Sequence, residues 1–179
     1  YGNAFGGDFE CINIYTALIA AREIVKADIT IVCMGPGIVG TDTKLGFSGV
    51  EQGSITDAVN KMGGYPAVIP RISFADDRAR HFGISHHSIM VLSQLCCTRA
   101  NVAIPIIENP DQKKYIQKQI VEHNIDSLHN ITYVDSIDIN RVLNNKSAYL
   151  KKMGKSFEED REYFITSAAA AKLCLQYLN

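Results

Sequence analysis

Val102-Ala103-Ile104-Pro105-Ile106, then Asn109-Pro110-Asp111, then Ile131 to Val134, is the stretch that decides the fold class. A short apolar run rich in β-branched residues reads as a buried strand, and Pro105 places its end there or near a sheet edge. Asn109-Pro110-Asp111 opens a helix through Ile116, Ile120 and Val121, since proline suits the first helical turn. A second apolar run then returns as a strand. Strand, helix and strand in this order form a βαβ unit, which favours parallel pairing.

The same alternation extends outward from this unit. Ile12, Tyr15, Leu18 and Ile19 recur at helical spacing, which predicts a helix from about Phe9 to Lys26 with Asp8 as its cap. Ile29-Thr30-Ile31-Val32-Cys33-Met34 follows as a buried strand. Glu51 to Met62 reads as a helix closed by Gly63-Gly64, and Ala67 to Phe74 as the next strand. Ser85 is placed to cap a helix carrying Ile89, Leu92 and Leu95, and Asp135 to Leu143 reads as a short helix. A final helix runs from about Phe157 to Leu178, and its Ala168 to Ala171 run allows close packing. The expectation is one α/β domain over residues 1–179, with a mostly parallel sheet, helices on both faces in three layers, and a C-terminal helix. Because the chain opens on a loop leading into a helix, a preceding strand would complete the pattern, so a longer natural protein is expected.

A formal net charge of -1 gives no electrostatic reason to expect nucleic acid as the partner. The nearest basic cluster, Lys151-Lys152 with Lys155, reads as an ordinary solvated segment. No stretch reaches the roughly 18 continuous apolar residues of a membrane helix, and the N-terminus lacks the basic start of a signal peptide. Five scattered cysteines without C-x-x-C spacing suit reduced thiols in a cytoplasmic protein better than a disulfide framework or a structural zinc site.

In a parallel α/β sheet, ligands bind outside the carboxyl ends of the strands, so the loops there carry the functional expectation. Three of them stand out. Phe5-Gly6-Gly7-Asp8-Phe9-Glu10 offers close backbone approach and, in Asp8, a metal ligand or a helix cap. The second runs from Met34-Gly35-Pro36-Gly37-Ile38-Val39-Gly40-Thr41-Asp42-Thr43 to Gly46-Phe47-Ser48-Gly49. Its G-x-G-x-x-G does not suit a dinucleotide: Pro36 interrupts the glycines, the helix does not begin at once, and no acidic ribose partner follows. Gly35, Gly37, Gly40, Thr41 and Thr43 instead read as N–H groups and hydroxyls that cradle an anion, or as a packed structural loop.

The third loop, Ser73 to Ser88, is the densest in chemistry. Arg78 and Arg80 are suited to a phosphate or carboxylate, and Asp76 to orienting a catalytic group. His81, His86 and His87 are candidate bases, with His86 also a candidate metal ligand. Adjacent helical residues diverge by about 100°, so only one of His86 and His87 is expected to face His81. The bland alternative is a set of surface ion pairs with one capping histidine. His123 and His129 stand alone and read as surface or helix-end residues.

Gly6-Gly7-Asp8, Met34 to Thr41, Gly46 to Glu51, Ser73 to Asp76, Arg80-His81, Gly83 to His87 and the segment from Met153-Gly154 to Ala171 together resemble a bacterial family catalogued as domain of unknown function 3866. The resemblance implies a bacterial cytoplasmic protein longer than this chain, with this chain as its C-terminal part, and implies no activity. Asp42 stands where the family pattern suggests Gly, and Asp77 where it suggests Pro. Asp42 puts a negative charge into the loop read as an anion cradle, which requires a cation as well.

Three functions fit these residues. The first is an enzyme acting on a small phosphorylated or carboxylated metabolite, with a divalent metal as the cofactor to consider. The second is a nucleotide- or metabolite-binding module without chemistry. The third is a structural part that packs on an upstream domain or a second copy to form a homo-oligomer.

Overall fold

The computed structural model describes residues 6–34, 37–41, 43–135 and 150–178. Its centre is a three-stranded parallel sheet in the order β1 (Ala67–Val68), β4 (Asn101–Pro105), β5 (Asn130–Val134). Asn101 pairs with Ala67 on one side and with Asn130 on the other, so β4 is the central strand. Pro105, which has no N–H to donate, sits at its last position opposite Val134, and the ladder continues through the Ile106 N–H to the Val134 carbonyl.

Side chains alternate across a strand, and β4 divides the core accordingly. Val102 and Ile104 join Leu92, Ile116, Ile120 and Ile125 on one face, beneath α3 (His86–Met90) with its π-helical extension Val91–Leu95, α4 (Pro110–Glu122) and α5 (Ile125–Leu128). Ala103 faces the other way into Phe157, Ile165, Ala169, Ala170 and Leu173, the last four on α6 (Arg161–Leu178). The methyl of Ala103 against those of Ala169 and Ala170 brings α6 close to the sheet, as the alanine run suggested. The result is a mixed α/β fold with a parallel sheet covered by helices on both faces, ending in a C-terminal helix.

Asn109 accepts from the N–H groups of Asp111 and Gln112, capping α4 where the sequence places its start. Helix α2 (Glu51–Lys61) also falls where expected, preceded by a 3-10 turn at Ser48–Val50.

Three expected elements differ. Ala67 to Phe74 is not one strand, because Pro70 interrupts the ladder after β1. The chain resumes as β2 (Ile72–Ser73) in a separate antiparallel pair with β3 (Gly83–Ile84). In the N-terminal region, α1 spans Ile14–Ile19 and continues as a π-helical turn, Ala20–Ile24. Its cap is Asn13, not Asp8: the Asn13 side chain accepts the Thr16 N–H while the Thr16 hydroxyl accepts the Asn13 N–H. The apolar run from Ile29 to Met34 finds no strand partner among the described residues and stays exposed, Ile31 at 80%. An apolar run makes a strand only where a neighbour completes its hydrogen bonds, and none is placed beside this one. The expected helix over Asp135 to Leu143 lies, after Asp135, outside the described residues.

The segment read as solvated lysines forms a two-stranded hairpin, β6 (Lys151–Lys152) and β7 (Lys155–Ser156). Met153 and Gly154 both have positive φ, 47° and 84°, which a two-residue primed turn requires.

Gly83 is fixed both by its backbone and by its neighbours. Its φ is +72°, and an added Cβ would lie 2.4 Å from Gln119 Oε1 and 2.7 Å from the Tyr115 ring. Gln119 cannot yield without losing the bond it accepts from the Ile84 N–H. Left-handed backbone and the clash together set the expected cost of Gly83→Ala at about 2–3 kcal/mol. Urea unfolding checks it, and a loss below 1 kcal/mol would show that α4 is not held against β3 in this way.

Candidate functional site

The antiparallel pairing of β2 with β3 sets Ser73 opposite Gly83, so the chain between them must fold back on itself. A 3-10 turn, Ala79–His81, completes the return. His81 therefore arrives beside the start of α3, and all three histidines of the loop come together. Ring centroids are 5.0 Å apart for His81 and His86, 5.5 Å for His81 and His87, and 4.0 Å for His86 and His87. The expectation that only one of His86 and His87 faces His81 is thus corrected. The 100° step between neighbours is bridged by the reach of two imidazoles around a buried third.

His81 is buried, and its Nδ1 lies 2.8 Å from the Ser85 hydroxyl. Ser85 occupies the N-cap position of α3 but makes no side-chain cap bond. His87 is half-buried and stacks on Phe47 at 4.2 Å, which ties the glycine-rich loop to the cluster. His86 is the exposed member. Burial, then the nearby Arg71 and Arg78, push His81 down to about 4. Burial, followed by His86 and the arginines Arg80, Arg71 and Arg78, brings His87 to about 4 as well. His86 is lowered by desolvation and by Arg80, Arg71 and Arg78. At neutral pH the cluster is a set of uncharged imidazoles.

Arg71, which sequence reading missed, joins this cluster to the acidic part of the loop. Its Nη2 donates to Asp76 Oδ2 at 2.6 Å, while Arg78 Nε reaches Asp76 Oδ1 at 3.0 Å and Arg78 Nη2 reaches Oδ2 at 3.1 Å. The Arg78 hydrogen bonds, reinforced by Arg71, hold the Asp76 carboxyl far below the usual carboxylate range. Asp76 is therefore a permanent anion that orders two arginines rather than a group that exchanges protons. The Arg71 Nη1 atom is buried with no hydrogen-bond partner among the described residues, and such a group costs free energy unless something completes it.

The other loops contribute unequally. Thr41 and Thr43 share a 2.9 Å hydroxyl contact, and the Thr41 N–H donates to the Gly46 carbonyl. The N–H groups of Gly37, Val39, Thr43, Gly46, Phe47 and Ser48 also donate within the Met34–Ser48 stretch, and Gly40 bridges to Phe47. Donors read as an anion cradle thus close the loop and set Phe47 under His87. Gly35, with Pro36 and Asp42, lies outside the described residues. Asp8 lies exposed before α1, and among the described residues no group of three or more His, Cys, Asp or Glu side chains is placed to hold a metal ion. Arg80 acts on His86 and His87 electrostatically.

Beneath the loop lies a second polar cluster. Lys152 Nζ is 2.5 Å from Asp160 Oδ2 and 3.0 Å from Ser73 Oγ, and Ser73 Oγ donates to the same carboxylate at 2.8–2.9 Å. The Lys152 side chain is 8% exposed and that of Asp160 0%, and the ammonium lies 4.6 Å from the Tyr163 ring centroid. This buried pair fastens the β6–β7 hairpin and the approach to α6 onto β2. The sequence reading missed it, since it took Lys151-Lys152 with Lys155 as an ordinary solvated segment.

His129 stands at a helix end, as the C-cap of α5, but is buried rather than superficial. Its Nδ1 accepts the Ala100 N–H and its Nε2 donates to the Leu92 carbonyl, so it links the start of β4 to the helical layer. His123 does end α4, as expected. Among the described residues no helix is long and apolar enough to cross a membrane.

No curated protein and no solved structure matches the chain. A family model does, over residues 1–171, and by that match the chain belongs to the family described as protein of unknown function, DUF3866.

Proposed function

We propose that this chain is an enzyme acting on a small phosphorylated or carboxylated metabolite, with the His81–His86–His87 cluster as its centre. The observation that carries the reading is the buried, unpartnered Arg71 Nη1 beside three uncharged imidazoles. An acceptor oxygen elsewhere on the ligand, a hydroxyl or carbonyl, would complete that guanidinium. His86, exposed and basic in its neutral form, is the group positioned to take a proton from the ligand or from a water. His81, tied to Ser85, and His87, stacked on Phe47, hold it in place. Arg78 and Arg80 supply positive potential, with Asp76 ordering Arg71 and Arg78.

The test is a thermal-shift screen of sugar phosphates, nucleotides and small carboxylates on the 179-residue chain and on His86→Gln, with and without divalent metals. A ligand at a hundred times its Kd adds about 2.7 kcal/mol of stability. A metabolite that stabilises both proteins but is turned over only by the wild type supports the enzyme reading. One that binds equally to both and is never turned over leaves a binding module. A screen without any shift removes the proposal.

A second reading rests on a separate observation. Ile12 at 90% exposure, with Ile19, Ile24, Ile31 and Val39, forms an exposed apolar N-terminal segment, and surfaces of this kind mark contacts with another protein. An assembly role, with a second copy of this chain covering the segment, predicts a concentration-dependent dimer in light scattering; a monomer at all concentrations removes it.

A further inference from the structure

A cleft of about 350 Å³ lies between the loop after β2 and the β6–β7 turn, walled by Asp76, Asp77, Arg78, Lys152, Met153 and Lys155. It is the size of a small-metabolite pocket. Its wall combines residues distant in sequence. The Lys152–Asp160 pair holds the hairpin down, and Lys155 Nζ donates to the Ala75 carbonyl across the cleft.

The charges of the wall sort into two groups. Lys152 is cancelled from behind by Asp160. Asp76 faces two arginines, Arg71 and Arg78, so that group keeps one positive charge in excess. Arg78 uses Nε and Nη2 on Asp76 and remains nearly half exposed, with Nη1 making no hydrogen bond among the described residues. Lys155 meets Asp77 only at 3.7 Å, and the Asp77 side chain is 98% exposed, so solvent screens that pair heavily. What faces the cleft is therefore a guanidinium and an ammonium in excess over one water-screened carboxylate.

We propose that this cleft binds the phosphate or carboxylate group of a small metabolite between Arg78 and Lys155, with Asp77 as a negative element that limits affinity for multiply charged anions. The Asp76–Arg78 pair belongs both to this cleft and to the histidine site, so the inference deepens the function proposed above and rests on it for the rest of the ligand. The planar guanidinium offers paired donors to two oxygens, and the ammonium supplies a point charge.

Calorimetric titration of the 179-residue chain with inorganic phosphate and with acetate tests this, using Asp77→Asn, Lys155→Gln and His86→Gln. Phosphate is expected to bind the wild type, and Asp77→Asn to tighten it several-fold by removing a like charge. Lys155→Gln is expected to weaken it about tenfold, the equivalent of one charge-assisted contact. His86→Gln is expected to leave the Kd for phosphate unchanged. Because Asp77 is exposed, its substitution does not put folding at risk, and the gain in affinity stands even if Lys155→Gln fails to fold. Acetate in place of phosphate, with the same dependence on Asp77 and Lys155, identifies a carboxylate subsite.

Absence of binding by both anions overturns the cleft, while the metabolite screen still decides the histidine site. Binding that ignores Asp77 and Lys155 but is lost in His86→Gln also overturns it, and places the anion at the histidines instead.

Discussion

Replacing Asp160 with alanine is expected to cost about 3–5 kcal/mol of folding stability, because it leaves a buried ammonium without its counter-ion. Lys152 has no second carboxylate within reach among the described residues, and Ser73 loses both of its acceptor contacts at once. A loss of this size is a large part of the roughly 5–15 kcal/mol that holds a domain folded. It should release the β6–β7 hairpin first, since that hairpin is fastened by Lys152 and Lys155. Replacing the cluster as a whole, with Asp160→Leu, Lys152→Met and Ser73→Ala together, should recover most of the loss, because no unpaired charge remains. Urea unfolding of both variants checks this. An Asp160→Ala protein within about 1 kcal/mol of wild type would mean that the pair is open to water.

The second large effect is on pH. His81 moves from its ordinary value of 6.5 to about 4 in the folded chain. Between those values the unfolded chain binds the proton and the folded chain does not, so folding loses stability as pH falls. The contribution is fully present above 6.5 and is lost as pH drops towards 4. For His81 this amounts to roughly 2 kcal/mol between pH 7 and pH 5, since one bound proton changes stability by about 1.4 kcal/mol for each step of one in pH. His87 acts in the same direction, reduced by its partial exposure. Asp76 adds a further loss below its ordinary value of 3.8. Denaturant midpoints at pH 7, 6 and 5 should fall in order, and His81→Gln should flatten the trend. A flat profile in the wild type would mean that these imidazoles are solvated.

Where local chemistry decides an element, the sequence was legible. Asn109-Pro110-Asp111 sets the start of α4, Glu51 to Lys61 forms α2, and Val102 to Pro105 with Ile131 to Val134 forms the parallel pair. Each carries its own cap or periodicity. The departures come where tertiary context decides. Ile29 to Met34 has the composition of a strand, but pairing requires a neighbour that composition cannot supply. Pro70 divides Ala67 to Phe74 between two sheets, a division that depends on β3 being present to receive Ile72 and Ser73.

The candidate site followed the same rule. Clustering of Asp76, Arg78, His81, His86 and His87 was visible because these residues are close in sequence. Arg71 sits just outside the motif, and its role emerges only when Asp76 folds back towards it. Phe47, Lys152, Lys155 and Asp160 come from distant segments, and no spacing rule relates Ser73 to a carboxylate that lies 87 positions away.

Long-range proton–nitrogen correlation NMR of the histidine rings, recorded at pH 6 with and without the stabilising metabolite, reports whether the three imidazoles are uncharged and whether His86 meets the ligand. Neutral ring signals are expected for His81 and His87 at that pH, with a change in the His86 ring nitrogens when the metabolite is added. Charged rings at all three positions, or a His86 signal indifferent to every ligand that stabilises the chain, would contradict the proposed histidine site.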